Sequence, residues 1–247
     1  MSTSLSLEER LGPPRIDAMS LGMMSIGGFI AGILGGLLVF LFSYLILGVN
    51  SFSAGASPLL LSIIALITIF IANSILIYFY HLVFPERYTK SRTVFTQVAI
   101  YSIILYILFT PAYMSVSSEL VGHYMLAIFV FHVLINVLGV SIIIEVISNY
   151  RYVLLGIYGS FVGAIASGFL AAYIFVSFQD STKALYTLIW SVAVVFTLTT
   201  FFKTLIEFLY HFYYRQTGTD IIGDVFHAIE EEEKTIEKQI ADSLTKF

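Results

Sequence analysis

Residues 124–147, YMLAIFVFHVLINVLGVSIIIEVI, decide the fold class. The run holds only four strongly polar side chains, His132, Asn136, Ser141 and Glu145, and the rest is almost wholly apolar. A helix needs about 20 such residues to cross the hydrocarbon core of a bilayer. Lipid offers no water to backbone N–H and C=O groups, so a run of this kind crosses as a helix that satisfies them internally. Five further stretches read the same way: Met19–Leu47, Pro58–Phe84, Val94–Thr110, Val153–Phe178 and Ala184–Phe202. The third is expected to stop at Pro111, and the sixth to run on as an aromatic, amphipathic stretch to about Tyr214.

Composition agrees with the spans. The chain is 58% hydrophobic and 11% charged, whereas a soluble domain carries about 25% charged residues. The fold class expected is all-α: a polytopic membrane bundle of six transmembrane helices followed by an acidic amphipathic C-terminal helix. Residues 1–18 form a cytoplasmic N-terminal segment, 19–214 the bundle, and 215–247 a cytoplasmic helical tail. Ser6–Glu9 has the pattern of a capping box ahead of Pro13 and Pro14. The first apolar run is too long for a secretory signal core, so it reads as a span.

Basic residues orient the bundle. Arg10, Arg15, Arg87, Lys90, Arg92, Arg151, Lys203, Arg215, Lys234, Lys238 and Lys246 fall on one side of a six-span chain, and Lys183 alone falls on the other. Lys and Arg accumulate in cytoplasmic loops, so both termini are expected in the cytoplasm of a cell-membrane protein. A five- or seven-span chain destroys this asymmetry.

Two helices carry ridges of small residues. Gly28, Gly32 and Gly36 recur at four-residue steps in the first span. In the fifth, Gly156, Ser160, Ala164 and Gly168 recur at four-residue steps, flanked by Gly159 and Gly163. Apolar attraction cannot drive helix pairing in lipid, so such faces serve close backbone approach. Packing of the first helix on the fifth is the plain expectation, and an assembly face between subunits is the sharper one.

Polar residues within spans are costly and invite a functional reading. His132 and Asn136 share one face of the fourth span, and Asn73 sits at mid-span in the second. Together they are candidates for a pore lining or polar path; interhelical hydrogen bonds that fix the bundle are the alternative. Glu145 is expected to pair with Arg151 or a base of the second loop. Lys203, Glu207 and His211 read as an interfacial stripe of ion pairs.

Several chemistries find no residues. The absence of cysteine excludes disulfides and thiolate metal sites. Zero Cys with four Asn and four Gln is also the scarcity found in thermostable proteins. No HExxH, GxSxG or P-loop sequence occurs. No catalytic residue, metal site or cofactor is expected, and the chain reads as a non-enzyme.

From Thr217 onward there are eight acidic and three basic residues. Ile222, Phe226, Ile229, Ile236, Ile240 and Leu244 mark an apolar stripe at helical spacing, interrupted by Glu230–Glu233. A net negative helix gains nothing from an anionic leaflet, which favours docking of a cytoplasmic partner over binding to lipid headgroups. The same acidity leaves no evident surface for direct nucleic-acid binding.

Three functions fit: a channel or scaffold subunit of a multi-component translocation system, a small-solute transporter or its substrate-binding membrane subunit, and a structural subunit of a larger membrane complex. In its short-looped spans, absence of cysteine, Ile/Tyr/Phe-rich helices and small extramembrane ends, the chain resembles the CedA family, the polytopic membrane proteins of crenarchaeal DNA import. That resemblance is one of organisation. It implies a DNA-import pore working with other membrane subunits, self-association among the possibilities, and with a cytoplasmic ATPase.

Overall fold

The structure, a computed structural model, describes residues 16–47, 58–85, 88, 91–115, 121–148, 153–177 and 184–244. These form seven helices and no strand: α1 Ala18–Leu47, α2 Pro58–Val83, α3 Ser91–Met114, α4 Val121–Ser148, α5 Val153–Ser177, α6 Ala184–Thr217 and α7 Ile221–Leu244. The first six are long and apolar enough to cross a membrane. The Ser6–Glu9 pattern lies outside the described residues.

Local chemistry sets the helix ends. Asp17 caps α1, its Oδ1 accepting from the Ser20 N–H at 2.7 Å. Hydrogen bonds from Ser20 hold the Asp17 carboxyl below the ordinary aspartate range. Pro58 opens α2 at the position where its missing N–H costs nothing. The expected stop at Pro111 does not occur, and α3 continues through it to Met114. Proline removes a hydrogen bond from within a helix, but chain on both sides of Pro111 still has only helix available in an apolar surround.

The six spans pack in a ring in chain order, with α6 closing onto α1. Two contacts cross the ring, α2 with α4 and α4 with α6, so these three helices form its inner triangle. Helix α3 touches only α2 and α4 and is the least buried span.

The small-residue ridges build the tightest part of this ring. Neither grooved helix turns its glycines to the other, as the first-on-fifth expectation required; each turns one ridge to α6, while Gly27 and Gly35 meet α2 and Gly156 and Gly168 meet α4. A methyl on Gly32 would lie 2.6 Å from Ala193 Cα, and one on Gly36 2.8 Å from Ile189 Cα. Gly28 lies against Phe196 and Thr200. From the opposite side, methyls on Gly159 and Gly163 would lie 2.7 Å from Lys203 Cα and 2.6 Å from Thr199 Cα. Partner numbers fall as glycine numbers rise, so α6 runs antiparallel to both neighbours. Gly168 has room, its nearest neighbour being Leu134 Cδ2 at 3.4 Å. Only side chains without bulk allow backbones to approach this closely.

Candidate functional site

Two polar stations lie inside the bundle at different heights, and α2 serves both. Asn73 and Tyr80 are seven residues apart, which places them on one helix face about 10 Å apart along the axis.

The first station is at mid-span. Asn73 Nδ2 donates to Asn136 Oδ1 at 2.6 Å, and Asn136 Nδ2 reaches Ser102 Oγ at 3.4 Å. One turn from Asn136, the His132 ring stacks on Phe109 with centroids 4.5 Å apart. Its Nδ1 lies 3.2 Å from the Tyr113 hydroxyl. The structure thus brings all three predicted path residues, His132, Asn136 and Asn73, to the junction of α2, α3 and α4, each fully buried. Asn73 Oδ1 and His132 Nε2 have no hydrogen-bond partner. Between the two stations α2 contributes buried Leu76, and α4 buried Val137, Val140, Ser141 and Ile144.

The second station is ionic. Lys203 Nζ sits 2.6 Å from Glu145 Oε1, donates to the Tyr80 hydroxyl at 2.9 Å, and lies 4.0 Å from the Tyr80 ring centroid. The Tyr88 hydroxyl donates to the same Glu145 oxygen at 2.6 Å. Tyr88 follows α2 and is held there by His81, whose Nδ1–H donates to the Tyr88 carbonyl at 3.0 Å. The Tyr80 and Tyr88 rings meet edge to face at 5.1 Å. Glu207, one turn beyond Lys203, is buried beside them.

Glu145 meets Lys203 of α6, 58 positions further along the chain (203 − 145), while Arg151, Arg87 and Lys90, bases expected beside it, lie outside the described residues. Of the expected stripe, Lys203 and Glu207 are buried, about 1% and 2% exposed, and Lys203 is ion-paired to Glu145. The small-residue ridge of α5 creates the space, since Gly159 admits the Lys203 backbone and Gly156 the Glu145 side chain. That coincidence of glycine and charge was the available signal, and it could be read only once α4, α5 and α6 were known to meet.

Two charges taken from water cost several kcal/mol each unless geometry and extra hydrogen bonds compensate. Here a carboxylate, an ammonium and two phenols from α2, α4, α6 and the segment after α2 compensate one another, which fixes the register of three helices. Among the described residues no group of three or more His, Asp or Glu side chains converges to hold a metal.

The third feature is the exit from the bundle. Helix α6 ends at Gly218, whose φ of 70° is the left-handed conformation glycine adopts readily. Asp220 then caps α7, its Oδ1 accepting from the Gly223 N–H at 2.9 Å. The same oxygen accepts from the Tyr210 hydroxyl at 2.5 Å, and that hydroxyl accepts from the Ile222 N–H at 3.1 Å. The α6–α7 corner is therefore clamped. Beyond it α7 makes no extensive contact with another described helix, and Val225, Ile229 and Ile236 of its apolar stripe remain about half exposed. A cleft of about 640 Å³ opens near this end, where Asp17 and Ser20 face His211 and Arg215.

No family model, curated protein or solved structure matches the chain.

Proposed function

We propose that this chain is a non-enzymatic channel or scaffold subunit of a multi-component translocation system in the cell membrane, with both ends in the cytoplasm and α7 as its docking arm. One observation carries the reading: α7 is tied to α6 by the Tyr210–Asp220 clamp at the corner, yet beyond it makes no extensive contact with another described helix. An arm clamped at its base and otherwise without extensive contact suits a partner, because the clamp lowers the ordering entropy that binding costs. Its chemistry suits an amphipathic helix laid in a groove, with the isoleucines as anchors. Glu230–Glu233 and Glu237 favour a groove with basic rims. A cytoplasmic ATPase is the partner, and DNA the cargo, that the resemblance to the CedA family implies. The mid-span station supports a second reading, passage or binding of a small solute within the bundle.

The test compares the full chain with a version ending at Thr219 and with Ile229→Glu/Ile236→Glu, each in its native membrane. Blue-native electrophoresis of gentle extracts should show the full chain in a larger assembly and both variants outside it, with equal amounts of folded bundle. Retention of the assembly by both variants overturns the docking role. Loss of DNA uptake in cells carrying either variant would identify the cargo.

A further inference from the structure

We propose that the α2–α3–α4 junction at mid-span is a binding site for small, uncharged hydrogen-bonding guests, which pair with Asn73 Oδ1 and with His132 Nε2. The inference is independent of the docking arm. Both side chains are completely buried, and in each the remaining polar atom is already engaged, Asn73 Nδ2 by Asn136 and His132 Nδ1 by Tyr113. The two side chains are therefore oriented, and their unpaired ends are fixed features of the junction. Exchanging O and N on both asparagines keeps the bond between them and still leaves one end of Asn73 unpaired. A buried polar atom without a partner is unfavourable anywhere, and in a membrane core there is no bulk water to relieve it.

The character of the site follows from its residues. Asn73 supplies an acceptor. If the Tyr113 hydroxyl donates to Nδ1, the His132 proton is on Nε2 and the site offers a donor as well. No charged side chain belongs to the junction: Glu145 and Lys203 meet at Tyr80, about 10 Å along α2 from Asn73. An ion would stay uncompensated there, whereas a neutral guest able to donate and accept would satisfy both ends. Water and a small amide or polyol share that chemistry.

Helix α3 offers the entry. It leans only on α2 and α4, and its grip on α4 is by side-chain rungs: Tyr101 to the Ile135 carbonyl at 2.9 Å, Ser102 to Asn136 and Tyr113 to His132. Pro111 lies within the same helix, two residues before Tyr113, and deprives the turn there of one backbone hydrogen bond.

The experiment uses the whole chain in lipid bilayers, labelled with ¹⁵N at Asn, His, Leu and Val, and follows magnetisation transfer from water protons by solid-state NMR. The His132 and Asn73 side-chain signals should gain intensity severalfold faster than the backbone amides of Leu76 and Val140. In His132→Phe, which can keep the stack on Phe109, transfer to Asn73 should fall towards that apolar level. Wild-type side chains as dark as Leu76 overturn the proposal, whatever the stability of the variant. Vesicle swelling in urea or glycerol distinguishes the guests. Swelling above that of empty vesicles, lost in Asn73→Leu, assigns a solute; swelling equal to empty vesicles with water transfer retained assigns water.

Discussion

Replacing Lys203 with Met keeps most of the side-chain volume and removes the ammonium from the ionic station. Glu145 then keeps the Tyr88 hydroxyl at 2.6 Å but loses the cation at the same distance. Glu207, within electrostatic reach of Lys203, loses that attraction too. Removing one partner of a buried pair costs about 3–5 kcal/mol, because the remaining charge is stranded out of water. The surviving Tyr88 bond argues for the lower end and Glu207 for the upper. On the scale of soluble domains of this size, about 2–4 °C per kcal/mol, the midpoint should fall by roughly 6–20 °C. Lys203→Met/Glu145→Gln strands one charge fewer and leaves an amide for Tyr88, so it should recover about 1–3 kcal/mol relative to the sum of the single changes. The assay is a reversible unfolding titration in mixed micelles, read by the fluorescence of Trp190, the one tryptophan, which lies on α6 itself. The reasoning is refuted if Lys203→Met unfolds within about 0.5 kcal/mol of wild type, the range of an ordinary surface change. Strict additivity in the double variant refutes the pairing even if both singles are unstable.

Gly163→Ala should cost about 1–3 kcal/mol, because the added methyl meets the α6 backbone at 2.6 Å and neither helix can yield locally. Gly22→Ala has nothing within 4 Å and should be neutral or stabilise by up to about 1 kcal/mol; thermal unfolding in detergent compares the two. Asp220→Ala removes the α7 cap and one half of the clamp. It should broaden the distance distribution between spin labels on Phe212→Cys and Lys234→Cys, while bundle stability changes by only about 1 kcal/mol. The Asp17 carboxyl is lowered by its hydrogen bonds from Ser20, so its capping contribution is fully present above the ordinary aspartate pKa and is lost as pH falls through the lower folded value. The stability difference between wild type and Asp17→Ala, followed by thermal unfolding against pH, should therefore hold at neutral pH and shrink only below about pH 3.9.

Sequence alone determined the six spans, because a bilayer imposes a one-dimensional rule: a stretch either is apolar over its thickness or is not. It also showed that α1 and α5 carry close-packing ridges, and it selected Asn73, His132 and Asn136 by their rarity in such surroundings. Which faces meet was decided only by tertiary structure. In lipid, inward and outward faces are equally apolar, as buried Val133 and exposed Phe131, two positions apart on α4, illustrate, so no periodicity marks the core. For the same reason the sequence does not show that Glu145 meets Lys203: the ring of helices brings α6 back across α4, and Lys203 arrives with it. The glycine ridges of α1 and α5 are legible as close-packing faces, but only the tertiary structure shows that the α6 backbone lies against one ridge of each.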